Sequence, residues 1–167
     1  MKKGIGFYVL EILFIIGFIC FTYYMINNGA YSKIDKKFVE DNNIAVSILN
    51  NNNKVLRPMS DIYARNSLES TIINIKNYNS NDIEYKLFMR IRKNNNLDYS
   101  DLKIKVDNEI YSLDTRYDWE DNDYLYFDLV HKKVKDYNNV KFAMWLDENV
   151  GDYSNYNFSY NFYVESI

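Results

Sequence analysis

Two chemically versatile side chains are almost missing from this chain of 167 residues, which has one cysteine, Cys20, and one histidine, His131. A single cysteine excludes a disulfide within the chain, and a single histidine excludes zinc or copper sites that need several histidines of one chain. The charge is nearly balanced, with 20 Lys and Arg against 23 Asp and Glu. This balance argues against nucleic acid as a partner. We expect no enzyme activity, no cofactor and no catalytic residue.

An apolar run from Ile5 to Ile26 is interrupted by one charge, Glu11. About 20 residues at a rise of about 1.5 Å span the ~30 Å hydrocarbon core of a bilayer, so the run predicts a transmembrane helix within residues 1–28. Lys2 and Lys3 precede it, which favours a cytoplasmic N-terminus and an extracellular remainder. The predicted partner of residues 5–26 is therefore the lipid bilayer of a cell membrane.

Three fates of this segment remain open: a retained anchor, a signal peptide cut near Ala30, which would release the outer domain, and a prepilin-like leader. The residues from Lys3 to Leu13 resemble a type IV prepilin leader, with Gly6 before the cut, Phe7 as the first mature residue and Glu11 fifth. In that family the glutamate is thought to neutralise the terminal amine of a neighbouring subunit. The alternative is a Glu11 near the cytoplasmic interface, close to the lysines.

Beyond Ile26 the sequence becomes polar, and apolar residues alternate with polar ones. We interpret residues 29–43 as a linker or short helix and residues 44–167 as one extracellular domain. The alternation of apolar and polar residues over Ile83–Arg92 predicts a strand with one buried and one solvent-exposed face, and Phe88 falls on the exposed face. Residues 68–77 and 83–92 are expected to form one hairpin, and residues 102–106 and 110–113 another. About eight strands predict an all-β antiparallel sandwich, jelly-roll or immunoglobulin-like.

The strongest candidates for a binding site are acidic residues in one predicted loop: Asp118, Glu120, Asp121 and Asp123. Their oxygen ligands suit calcium, although the spacing lacks the EF-hand pattern, and the alternative is a solvated acidic loop. His131 is interpreted as a solvated residue of a polar loop over 131–139 rather than a general base. Seventeen tyrosines offer a surface on which carbohydrate could stack.

Several segments carry a resemblance to known proteins. Pro58–Asp61, Ser67–Asn77 and Ile83–Leu87, followed by Val140–Asp147 and Phe158–Val164, resemble exported β-sandwich proteins of the camelysin and TasA type from low-GC Gram-positive bacteria. The resemblance covers about residues 44–167 and implies export, a jelly-roll-like fold and self-association by strand exchange. It carries over no catalytic residue.

The function predicted from these features is that of a non-enzymatic, membrane-anchored cell-surface protein in adhesion, extracellular matrix or surface assembly. Strand edges would bind another copy or another surface protein through main-chain hydrogen bonds. Two alternatives stay open at this stage. One is a pilin-like filament subunit cleaved after Gly6, and the other is a surface module that binds calcium or carbohydrate.

Overall fold

The computed structural model describes residues 12–20, 30–34, 43–49, 55–93, 95–153 and 156–167, with the backbone alone for 30–34. Residues 12–20 form a helix, α1, in which Cys20 is exposed. None of the described helices is both long enough and apolar enough to cross a membrane. The rest of the predicted span, together with Gly6, Phe7 and Glu11, lies outside the described residues.

Eleven β-strands make up most of the described chain, and they have the following bounds: β1 Ala30–Ile34, β2 Ile44–Ile48, β3 Val55–Leu56, β4 Thr71–Asn77, β5 Ile83–Arg92, β6 Leu102–Val106, β7 Glu109–Ser112, β8 Tyr117–Glu120, β9 Tyr124–Val134, β10 Tyr137–Leu146 and β11 Asn157–Ser166. The helical elements after α1 are α2 over Asp61–Ser67 and two 3₁₀ helices, η1 over Tyr99–Asp101 and η2 over Leu113–Arg116. The sequence predicted fewer strands and no helix of consequence in this region.

The strands form two sheets. Six strands lie in the order β3-β1-β11-β5-β9-β8, and five lie in the order β2-β4-β10-β6-β7. All the strand pairs are antiparallel except β1 with β11, which run parallel. This confirms the prediction of a mostly antiparallel, two-sheet β protein.

The core between the sheets follows the alternation read from the sequence. On β5 the inward side chains are Tyr85, Leu87, Met89 and Ile91, and β10 contributes Val140, Phe142, Met144 and Leu146. β11 adds Phe158, Tyr160, Phe162 and Val164 from the first sheet. Burying one face of each long strand in this way removes a large apolar area from water, which is the main driving force for the sandwich.

One predicted hairpin is confirmed and the other is wrong. β6 and β7 pair through a turn at Asp107, which adopts a positive φ of 54°. β4 and β5, in contrast, lie in different sheets. The Asn77 side chain stabilises this crossing, because its Nδ2 donates to the carbonyls of Asn81 and Lys135, each at 2.8 Å. A polar connection of turn-forming residues fits a sheet crossing as well as a hairpin, so composition alone did not distinguish the two.

Three further segments differ from expectation. Ala30–Ile34, within the expected linker or short helix, is a strand whose backbone pairs with β3 and β11. The segment preceding β4 contains α2, although the sequence predicted no helix of consequence there. Ser60 caps this helix, because its side chain accepts a hydrogen bond from the Tyr63 N–H. His131 lies on β9 rather than in a loop, since β9 runs on to Val134 and β10 starts at Tyr137.

Candidate functional site

The predicted acidic loop is a β-hairpin at the edge of the six-stranded sheet. Asp118 and Glu120 lie on the edge strand β8, and Asp121 and Asp123 belong to the turn into β9. Asp121 orders this turn, since its Oδ1 accepts from the N–H groups of Asp123 (2.8 Å) and Tyr124 (2.7 Å). Its Oδ2 accepts from the hydroxyl of Tyr126 at 2.7 Å. The Tyr126 bond is the main cause that lowers the pKa of Asp121.

The hairpin brings the four proposed calcium ligands into one region, but the carboxylates of Glu120 and Asp121 bind other partners there. Glu120 Oε1 lies 3.0 Å from Lys93 Nζ, and both oxygens of Asp121 accept hydrogen bonds within the hairpin. Within the described ranges no group of three or more Asp, Glu, His or Cys side chains could hold a metal ion. Calcium binding therefore has no assembled oxygen cage in the described structure and stays a hypothesis from sequence.

A row of aromatic side chains crosses the outer face of the same sheet. Trp119 stacks on Tyr126 with ring centroids 3.7 Å apart and an interplanar angle of 8°. Phe88 lies edge-on to Tyr126 and stacks on Tyr163. Phe88 was expected on a wet face, yet it is only 1% exposed. The expectation was wrong because aromatic rings on the two neighbouring strands, Tyr126 on β9 and Tyr163 on β11, pack against it, and the periodicity of a single strand does not reveal them.

The two arginines of β5 are held against this aromatic row. The Arg90 guanidinium lies 4.5 Å from the centre of the Tyr124 ring, and the Arg90 Nε donates to Asn161 Oδ1. The Arg92 guanidinium lies over the same tyrosine at 5.8 Å. Cation–π contacts of this kind contribute about 0.5–1 kcal/mol at exposed positions. These arginines therefore stabilise the outer face.

The most distinctive feature of this sheet edge is a length of β9 that β8 does not cover. β8 pairs with β9 only over residues 125–127, whereas β9 continues to Val134. We call residues 128–134 the open segment. Arg116 Nε donates to the main-chain carbonyl of Asp128 at 2.7 Å, so the first carbonyl of the open segment has a side-chain donor.

The hydrogen-bonding pattern shows which main-chain groups of the open segment point outward. The carbonyl of Glu84 on β5 accepts a bond from the last residue of the chain, on the β11 side (2.9 Å). Bonding directions alternate along an antiparallel strand, so the main chain of Tyr85 points to β9, where it pairs with Lys132. The neighbours of Lys132, His131 and Lys133, therefore direct their N–H and C=O groups away from β5.

A groove runs between the open segment and the β6–β7 hairpin of the other sheet. Its volume is about 360 Å³, and its lining includes Val106, Asp107, Tyr111, Leu129, Val130 and Lys132. Lys132 Nζ bonds Asp107 Oδ2 at 2.7 Å and so joins the two sheets across the gap. Partial burial works to raise the pKa of Asp107, but the hydrogen bonds from Lys132 and from the Lys141 N–H lower it overall.

His131 has a structural partner at this edge. Its Nε2 lies 3.0 Å from Glu84 Oε1, and both side chains are substantially exposed. The other candidate positions are less informative: Ala30 begins β1, where the backbone alone is described, and the remaining processing and assembly residues lie outside the described ranges.

Sequence reasoning missed β8, and with it the edge that β8 forms. The signal was present, because Tyr117, Asp118, Trp119 and Glu120 alternate aromatic and acidic residues with the period of a strand. The density of acidic residues around them favoured a loop interpretation instead. The uncovered length of β9 depends on pairing between distant residues, and no local pattern predicts it.

Searches of protein-family models, curated proteins and solved structures found no match to this chain. The resemblance to the camelysin and TasA type, and the prepilin-like pattern at residues 3–13, therefore stay predictions from the residues quoted for them.

Proposed function

We propose that this chain is a non-enzymatic protein of the cell surface that is anchored by its N-terminal apolar segment and acts in adhesion, matrix formation or surface assembly. The outer part would be a jelly-roll-like or immunoglobulin-like sandwich that associates with other copies through its sheet edges. The anchor is supported by the apolar run at residues 5–26, which is long enough to span a bilayer.

The single observation that carries the assembly role is the open segment of β9. Over these seven residues, 128–134, the six-stranded sheet ends on a strand with no neighbouring strand among the described residues. An exposed strand edge offers main-chain donors and acceptors, and such edges bind added strands in many protein associations. The groove beside it provides room for the side chains of an added strand.

The test is the intact mass and location of the chain in the cells that produce it. We expect the chain in the envelope fraction, at the mass of the full sequence or of the product of one of the cuts described above. A mass that begins at Met1 fits a permanent anchor, and loss of residues 1–30 fits a released matrix subunit. Recovery of the chain only in the cytosolic fraction would overturn the proposal.

The pilin-like alternative is favoured by one specific observation, the order of Gly6, Phe7 and Glu11. It requires loss of residues 1–6 and filaments that depend on the Glu11 carboxylate. Filaments that disappear with Glu11→Ala but persist with Glu11→Asp would support it, and assemblies unchanged by Glu11→Ala would exclude it.

A further inference from the structure

We infer that two copies of this chain join edge to edge in the six-stranded sheet, with β8 of each copy lying against the open segment of β9 of the other. The inference rests on the proposed function, because it specifies the edge through which copies assemble. It follows from four properties of this edge: its shape, its main-chain groups, its charge and its accessibility.

The shape of the edge is a step. β8 covers one end of β9, and the open segment occupies the other end. A twofold axis perpendicular to the sheet places β8 of each copy beside the open segment of the other. Both open segments are then covered by identical contacts. A strand of four residues is about 13 Å long, and the six residues after Asp128 extend for about 20 Å, so β8 fits the gap with room for the Arg116 side chain.

The main-chain groups on the two strands match in this arrangement. The Asp121 N–H donates to the Tyr124 carbonyl at 3.0 Å, so by alternation the main chain of the preceding residue, Glu120, points away from β9. β8 is antiparallel to its own β9 and would therefore run parallel to the partner's β9. In a parallel ladder, the N–H and C=O of one residue bond to two residues of the neighbouring strand, which flank the residue directly opposite. Glu120 is thereby matched to His131 and Lys133 of the other copy.

The charges of the two strands are complementary. β8 carries Asp118 and Glu120. The open segment begins with Asp128, which lies 3.9 Å from the Arg116 guanidinium, and then carries His131, Lys132 and Lys133. Pairing of two open segments would bring lysines together, and pairing of two β8 strands would bring carboxylates together. Like charges on directly opposite strands are destabilising. The charge pattern thus disfavours both of the other symmetric pairings of this edge and favours β8 against the open segment.

Accessibility separates this edge from the others. All four residues of β8 are exposed, and so are the three basic residues of the open segment. β2 and β7, which end the five-stranded sheet, have one exposed residue each, Ser47 and Glu109. β3, at the far edge of the six-stranded sheet, has only two residues. The step formed by β8 and β9 is therefore the edge best able to accept a strand.

The test is the association state of the purified full chain in mild detergent, measured by sedimentation velocity over a range of concentrations at about 0.15 M salt. Two charge reversals, Asp118→Lys and Lys133→Glu, should each weaken association by at least about tenfold, because each puts a like charge on the contact between the two strands. Lys76→Glu, on the other sheet, is the matched control and should associate like the wild type. Circular dichroism should show the same fold for all variants.

A disulfide test gives a positive readout of the same contact. Within one copy, Glu120 lies opposite Leu125, and Lys132 is seven residues farther along β9, or about 23 Å away. Glu120→Cys combined with Lys132→Cys, in a Cys20→Ser background, should therefore form a disulfide only between copies. We expect this double variant to form a covalent dimer under mild oxidation. Each control, which carries only Glu120→Cys or only Lys132→Cys in the same background, should stay monomeric.

The outcomes separate this inference from the proposed function. Association that is unaffected by either charge reversal would overturn the β8–β9 contact while leaving surface assembly in place. A wild-type chain that stays monomeric at every concentration would overturn both, and the open segment would then serve another partner or face solvent.

Discussion

Trp145 illustrates at the residue scale how the sheet buries a side chain on its outward face. It is 0% exposed, and its Nε1 is buried without a hydrogen-bond partner among the described residues. An unpaired buried donor costs about 1–3 kcal/mol. We expect Trp145→Ala to lower the free energy of unfolding by about 3–5 kcal/mol. Trp145→Phe should lower it by less than about 1.5 kcal/mol, because the loss of side-chain volume is partly offset by removal of the unpaired donor. Urea unfolding measures both, and equal losses would mean that the indole N–H is satisfied.

Asp107 gives a pH dependence at the same scale. Its carboxylate accepts bonds from the Lys132 side chain and the Lys141 N–H, and its pKa lies below the usual 3.8. A lowered folded-state pKa stabilises the fold above the unfolded-state pKa, and this contribution is lost as the pH falls through the folded value. The carboxylate is more than a third exposed, so solvent screening limits the effect to about 0.5–1 kcal/mol.

Asp107→Asn is the matched variant, because asparagine also tolerates the positive φ of this turn. We expect it to lower the unfolding free energy at pH 7 and to behave more like the wild type as the pH falls below about 4, where the aspartate also loses its charge. A difference that stays constant from pH 7 to pH 3 would show that the carboxylate charge contributes nothing here.

At the scale of elements, α2 depends on its first turn. The Ser60 side chain accepts from the Tyr63 N–H, and Ala64 is fully buried under the helix. Loss of an N-cap hydroxyl costs about 0.5–2 kcal/mol, so Ser60→Ala should lower the unfolding free energy by about 1 kcal/mol. Ser67→Ala, at the other end of α2, is the control and should change it by less than about 0.5 kcal/mol. Equal effects of the two changes would show that the Ser60 hydroxyl does not stabilise α2.

The outer aromatic row is a second small core. Phe88→Ala should lower the unfolding free energy by about 3–5 kcal/mol, as for a buried core position. Ile62→Ala, at an exposed site on α2, should change it by less than about 0.5 kcal/mol. The prediction fails if Phe88→Ala unfolds at the same denaturant concentration as the wild type.

The elements show which parts of the fold a sequence can predict. The strand at Ile83–Arg92 and the hairpin of β6 and β7 follow from local patterns, and the structure confirms them. The sheet to which β4 belongs, the burial of Phe88 and the uncovered length of β9 depend instead on partners far along the chain. The acidic hairpin was visible as a cluster, but its place at a sheet edge depends on that long-range pairing.

At the scale of the whole molecule, the two sheets end differently on the side of the groove. The six-stranded sheet ends in the acidic β8 and the basic open segment, and the five-stranded sheet ends in the short strand β7. Charged residues on an edge usually prevent association with like edges. Here opposite charges lie on the two halves of one edge. The charges therefore favour pairing of β8 with the open segment of another copy and disfavour pairing of two β8 strands or of two open segments.

The most direct measurement is cross-linking of intact cells that produce the chain, using an amine-reactive reagent that does not cross membranes. A surface assembly exposes its lysines to the reagent beside those of neighbouring copies, so we expect covalent multimers of this chain from intact cells. At equal abundance we expect fewer of them with the double variant Asp118→Asn and Glu120→Gln, which removes the charge of β8 and keeps every lysine. Cross-linking that requires cell lysis, or that yields only monomers from intact cells, would contradict a surface protein that assembles with itself.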